Sequence, residues 1–164
     1  DTQLVTIAAV AAGAGIVGAL IGASLAAPAP TQARPKRAKC LMVKTDKASP
    51  AGGHYSQAIV NGGEVFVSGL LPITRTGEKL VDSSFEAQCQ QVLDNLDAIL
   101  SASGTDMAHL ISVRVYIANI DNWPAFDKMY TQVVGAHKPA RAVVPVPHLH
   151  YGFELEVEAM AALP

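Results

Sequence analysis

Cysteine is scarce in this chain: Cys40 and Cys89 are the only two in 164 residues. They stand far apart and in no CxxC or zinc-ligand spacing, so neither a disulfide framework nor a zinc site is built from them. Free thiols in a reducing compartment are the expectation. Charge is scarce too, and evenly signed: 12 Lys and Arg against 14 Asp and Glu leave a formal −2. That lacks the basic surplus with which nucleic-acid binders neutralise phosphates. There is no long internal repeat. What is present in quantity is hydrophobic residues, 50% of the chain, enough for one domain with a real core plus an extension.

The sharpest absence is local. Residues 4–27 carry no charge, and these 24 residues, at about 1.5 Å of rise each, are long enough to cross a bilayer core of roughly 30 Å. A secretory signal is the alternative, but the run exceeds a usual h-region and no basic residue precedes it. A retained anchor over residues 1–27 is therefore expected. The chain opens on Asp1 rather than Met, as a processed or trimmed chain would. Ala14, Gly18, Gly22 and Ala26 recur every four residues, and Gly18 and Gly22 make a small-xxx-small face suited to close packing against other membrane helices. Ala- and Gly-rich spans also meet this spacing by chance. Residues 28–39 read as a tether, with Pro28, Pro30 and Pro35 keeping it extended among Arg34, Lys36, Arg37 and Lys39. By the positive-inside rule the domain beyond lies on the cytoplasmic, stromal or matrix side, and an organellar membrane, thylakoid or mitochondrial inner, is favoured. A soluble protein whose apolar tail packs on itself is the competing reading.

Residues 40–164 form the domain. Residues 41–43 are a short strand candidate, followed by a Pro- and Gly-rich loop at 49–56. Residues 57–60 and 64–68 are two strands joined through Asn61, Gly62 and Gly63, a strong hairpin signal. From Ser83 or Ser84 the period changes to 3.6: Phe85, Cys89, Val92, Leu93, Leu96, Ile99 and Leu100 mark one helix face up to Gly104, with acids and glutamines opposite. Residues 110–117 are strand-like, with Ile111, Val113, Val115 and Ile117 on one face. A second helix begins around Trp123 and Pro124, its stripe made of Phe126, Met129, Tyr130, Val133 and Val134, and ends near Gly135. Trp123 joins Phe126 and Tyr130 in spacing and reads as core. Two more strands, at 138–146 and 153–159, complete an order β-β-β-α-β-α-β-β: an α+β domain with helices on one face of a sheet.

The segment KPARAVVPV at 138–146 reads as a buried strand holding Arg141 among Ala and Val. A guanidinium keeps its charge, so that placement needs an anion nearby. The strand at 153–159 supplies Glu154, Glu156 and Glu158 on one face, with Leu155 and Val157 on the other. Two readings follow: Arg141 faces one of these glutamates across an anion-binding cleft, or the two strands share an internal ion pair. Spacing alone leans to the ion pair.

GHYSQ at 53–57, VFVSG at 65–69, QCQQVLDNLDAILSASG in the first helix, VRVYI at 113–117, KPARA at 138–142 and EVEA at 156–159 together resemble the YjgF/RidA family of imine deaminases, in order and spacing across the whole domain. The resemblance implies a chorismate-mutase-like α+β fold with helices on one face of a mixed sheet, assembled as a homotrimer with clefts between subunits. It implies hydrolysis of enamine or imine acids such as 2-aminoacrylate to the 2-keto acid and ammonia, with no metal and no organic cofactor. Carried over by position, Arg141 holds the substrate carboxylate, Glu156 positions the attacking water, and Tyr55, Ser68 and Gly69 line the pocket, with Val143 and Asp127 beside it. A planar guanidinium grips a carboxylate through two parallel N–H bonds, and an electrophilic iminium carbon then needs a placed water and a proton acceptor. The chain departs from the family where Val143 stands for a small residue or cysteine, Leu70 for glutamine and Asp127 for asparagine, and in Pro145, Pro147 and the HLHYG loop at 148–152.

Other groupings carry less. His148 and His150 form an HxH pair without a third ligand, which reads as surface or packing. His54 reads equally as a turn-capping residue or a pocket contact. Ser68 lacks a base and oxyanion hole for nucleophilic work. The expectation is thus a membrane-anchored deaminase of small 2-imino or enamine acids. The alternative is a non-catalytic accessory subunit of a photosynthetic or respiratory membrane complex, docked through the Gly18/Gly22 face.

Overall fold

The structure is a computed structural model that describes residues 39–164. The anchor over 1–27, its Gly18/Gly22 face and the tether up to residue 38 lie outside these residues. Among the described residues no helix is long and apolar enough to cross a membrane.

Eight main elements appear in the expected order: β1 (Leu41–Val43), β2 (Ala58–Asn61), β3 (Glu64–Leu70), α1 (Phe85–Ala102), β4 (Leu110–Ile117), α2 (Trp123–Val134), β5 (Ala140–Pro145) and β6 (Leu155–Ala162). They build one mixed sheet in the order β1-β2-β3-β6-β4-β5. Only β4 and β5 pair in parallel, with α2 as the crossover that parallel neighbours require. Gly62 and Gly63, at φ 62° and 88°, make the β2–β3 turn where a Cβ would be strained. Ser84 caps α1 by accepting from the Ala87 amide at 3.2 Å. Pro124 sits in the first turn of α2, where its missing N–H breaks no bond.

The helices cover one sheet face. Alternation along each central strand sends Val65 and Val67, Val113, Val115 and Ile117, and Leu155, Val157, Ala159 and Ala161 into the core, where they meet the α1 stripe and Phe126, Tyr130 and Val134 of α2.

Four expectations need correction. KPARAVVPV is an edge strand rather than a buried one. β5 pairs only with β4 and has no buried residue, and its last residue, Pro145, is tolerated because an edge needs fewer N–H donors. Ile111 is 40% exposed rather than inward, because an extra residue between Leu110 and Ser112 shifts the β4–β6 register and sends Leu110 to the core instead. Trp123 is 40% exposed, since a side chain in the first helical turn leans back over the preceding turn rather than over the sheet, and Val133 sits at the exposed margin of the same stripe. The last strand starts later and runs further than residues 153–159, with Phe153 buried in the loop before it.

The α1 surface also holds a surprise. Gln88, expected with the other glutamines on the solvated face, is buried within the apolar stripe, and so is Asn95. Gln88 accepts from the Glu154 amide at 3.0 Å and donates to the Ser83 carbonyl at 3.2 Å. Asn95 accepts from the Ser49 amide at 3.1 Å and donates to the Ile73 carbonyl at 2.9 Å. Two amides seven residues apart therefore fasten three loops to one helix, and both of these buried side chains have their partners.

Candidate active site

The open face of the sheet gathers the carboxylates. Glu158 takes an ion pair from Arg114 and a hydrogen bond from the Tyr116 hydroxyl at 3.1 Å. Glu154, just before β6, accepts from Asn122 Nδ2 at 2.7 Å. Glu156, between them and paired across the sheet with Tyr116, has no such partner among the described residues. Burial raises its pKa, the neighbouring Glu158 charge raises it further, and His150 partly offsets both. Of Glu154, Glu156 and Glu158, Glu156 is the one without a side-chain partner among the described residues, and its pKa is the one raised by burial.

What allows Glu156 its place is a bulge in β3. Val67 pairs with Ala159 and Leu70 with Val157, so Ser68 and Gly69 together span the position opposite one β6 residue. A Cβ at Gly69 would overlap the Glu156 carboxylate, which therefore rests directly against the backbone. Ser68 donates its hydroxyl to the Ser56 carbonyl at 2.7 Å, which spends that proton on structure rather than on nucleophilic attack. The next residue along, Tyr55, is 52% exposed, and its hydroxyl accepts from the Gly52 amide at 3.0 Å. Gln57 holds this loop in shape, accepting from the Thr45 amide at 2.7 Å and donating to the Ser49 carbonyl at 2.7 Å. A cavity of about 710 Å³ opens beside Tyr55, with Gln57, Lys44 and Arg75 among its walls. Thus Ser68, Gly69 and Glu156 come together, with Tyr55 joined through Ser56.

Arg141 is elsewhere. It pairs with Val113, an inward-facing core residue, so its side chain leaves the helix-covered face while Glu156 leaves the other. Neither sequence reading of this arginine holds within one chain: no β6 glutamate faces it, and none pairs with it. Its partner is Asp127 of α2, with Nη2 to Oδ1 at 2.6 Å, and its Cζ stands 5.0 Å from the centroid of the Tyr130 ring. Asp127 and Tyr130 are three residues apart and so share one helix face. Val143, two along β5, lies half-buried on the same side and packs against the core. Tyr130, read as simple core, has a buried hydroxyl with no hydrogen-bond partner among the described residues, and burial raises its pKa while the Arg141 charge lowers it. Its spacing from Asp127 was the available signal; the orphan hydroxyl was not legible.

The remaining candidates are peripheral. Leu70 ends β3 in the core. His150 stacks within 4.0 Å of Tyr151, a non-glycine residue at φ 62°. Among the described residues no three His, Cys, Asp or Glu side chains gather as a metal site. Cys40 and Cys89 are both free, and burial pushes the Cys89 thiol up to about 12, away from reactivity.

A mixed sheet layered with two helices, carrying a partly buried carboxylate on one face and an arginine paired with Asp127 on the other, defines a two-layer α+β protein whose candidate site groups are presented at its surfaces. The chain belongs to the YjgF/RidA family: the family model described as Endoribonuclease L-PSP matches residues 45–163. It is 33% identical over 117 residues to Protein HMF1 of Saccharomyces cerevisiae, covering 71% of this chain and 90% of that one. It is 35% identical over 122 residues to the chloroplastic Reactive Intermediate Deaminase A of Arabidopsis thaliana, covering 74% and 65%. The crystal structure of E. coli TdcF with bound serine superposes with a TM-score of 0.71 at 30% identity, covering 76% of this chain and 99% of that one.

Proposed function

We propose that this protein hydrolyses small 2-imino and enamine acids of the 2-aminoacrylate type to the 2-keto acid and ammonia. The observation that carries this reading is Glu156: alone among its strand's acids it is uncommitted, desolvated and seated against Gly69. Arg141 binds the substrate carboxylate. Water adds to the carbon of the protonated imine, Glu156 takes the proton that water loses and returns it to the carbinolamine nitrogen, and ammonia leaves as the C–N bond breaks and the hydroxyl gives up its proton to form the carbonyl. A carboxylate whose pKa is raised is the better base for that step. The likeness to a reactive intermediate deaminase, and to a relative whose structure holds serine, supports an amino-acid-derived substrate. The formal −2 charge supports a small molecule over RNA.

Because Arg141 and Glu156 leave opposite faces of one sheet, a working cleft needs Arg141 from one chain and Glu156 from another, in keeping with a homotrimer. The open face, where Phe66 is 37% exposed and Met160 stands beside Arg114 and Glu158, supports such an interface. The uncharged residues 4–27 and the basic tether support attachment of this assembly to a membrane, with the domain on the cytoplasmic, stromal or matrix side. The test is ammonia and keto-acid release from freshly generated 2-aminoacrylate. Activity that disappears in Arg141→Ala supports the enzyme; none from a folded, assembled chain leaves the accessory-subunit reading in its place.

A further inference from the structure

We propose that Asp127 sets the charge of the ligand that Arg141 accepts, favouring 2-imino and 2-keto acids with a basic side chain and disfavouring those with a second carboxylate. The proposal rests on Arg141 being the carboxylate clamp. Its ground is the 2.6 Å bond from Arg141 Nη2 to Asp127 Oδ1, between side chains that keep only 24% and 38% of their exposure. One arm of the guanidinium is thereby engaged and its charge matched by a neighbouring side chain, while its remaining donors are available. A ligand carboxylate docking on those donors comes close to a fixed carboxylate, and the pocket's response then depends on what else the ligand carries.

The surroundings sharpen this. Arg141, Asp127, Tyr130, His137 and Lys138 line one cavity of about 440 Å³. His137 donates from Nε2 to the Leu110 carbonyl at 2.6 Å, so that nitrogen is turned to the backbone rather than to a ligand. Lys138 is exposed and its ammonium is screened by solvent, whereas Asp127 is held in place against Arg141. Tyr130, 5% exposed, lays its ring beside Arg141, with the Cζ 5.0 Å from the ring centroid, and so helps to hold the guanidinium in place. The cavity therefore holds an arginine whose charge is already matched, and the carboxylate that matches it stands fixed beside the place a ligand would take. An asparagine at 127 would keep the bond to Arg141 through its side-chain oxygen and remove only the charge, which makes Asp127→Asn a clean probe.

The experiment measures binding of pyruvate, 2-oxoglutarate and 5-guanidino-2-oxopentanoate to the full chain by calorimetry, in the wild-type protein, Asp127→Asn, Asp127→Ser and Arg141→Ala. The wild type should hold the guanidino acid tightest and 2-oxoglutarate weakest. In Asp127→Asn the ratio between those two should shift toward 2-oxoglutarate by about tenfold, the size of one modest charge–charge contact. Asp127→Ser should shift it the same way, which guards against a fault peculiar to the asparagine variant. An unchanged ratio, or no binding of any acid to wild type and variants alike, overturns the proposal. If Arg141→Ala binds all three as well as the wild type, the clamp itself falls and the proposal with it. Intact, charge-selective binding without ammonia release from the matching imino acids overturns the deaminase reading alone.

Discussion

The two faces of the sheet treat their charged residues in opposite ways. On the open face Glu156 is desolvated, unpaired and pressed against Gly69 in the middle of the sheet. On the helix face, at the sheet edge, Arg141 is paired with Asp127 and laid over Tyr130. One charge is held under electrostatic stress and the other at rest. Burial beside a like charge stores proton affinity in Glu156, which chemistry can use. The arginine needs only orientation, which an ion pair and an aromatic ring supply. The strands fix each group while keeping the two apart, so the cleft proposed above needs a second chain to bring them together.

The largest blow to this contrast should come from Glu156→Gln, which removes the proton acceptor and should lower kcat by about 10²- to 10⁴-fold, read as ammonia release. The same variant should be more stable than the wild type at neutral pH, by thermal melting. The folded-state pKa of Glu156 is raised, so its carboxylate costs stability above the usual glutamate range. That cost fades as the pH falls and the group protonates, and the two melting curves should then converge. A gap that widened on acidification would mean that Glu156 is stabilised rather than strained.

Leu155→Ala, one residue away but on the helix side, should cost about 2–5 kcal/mol in chemical denaturation. Its activity per folded molecule should survive, separating the core face from the reactive one. Gly69→Ala should cost about 1–3 kcal/mol, because the new methyl displaces the Glu156 carboxylate or the strand. Its kcat should fall while binding of keto acids stays, since Arg141 is not touched. Smallest is Arg114→Ala. The Arg114–Glu158 pair is 53% and 34% exposed, so solvent screens it and a single chain should lose little stability. A larger loss that appears only with protein concentration would show that this pair lies in a subunit interface.

Periodicity alone determined much here. The α1 stripe from Phe85 to Leu100, the Asn61-Gly62-Gly63 turn and the alternation of Leu155, Glu156, Val157 and Glu158 all appear in the structure as the residue pattern requires, because each depends on neighbours a few positions apart. The choice of Glu156 over Glu154 and Glu158 was legible only through resemblance to a family. Its physical reason needed the fold: Asn122, Arg114 and Tyr116 approach from elsewhere in the chain and claim the other two acids. Arg141 shows the other limit. Its apolar neighbours made it look buried and made a β6 glutamate its natural partner, yet strand order put β5 at the edge and register turned its side chain toward α2. Which residues alternate is local and is written in the chain. Which strand is outermost, which face a helix covers and which carboxylate reaches a guanidinium first depend on pairings between distant segments, and only the folded sheet decides them.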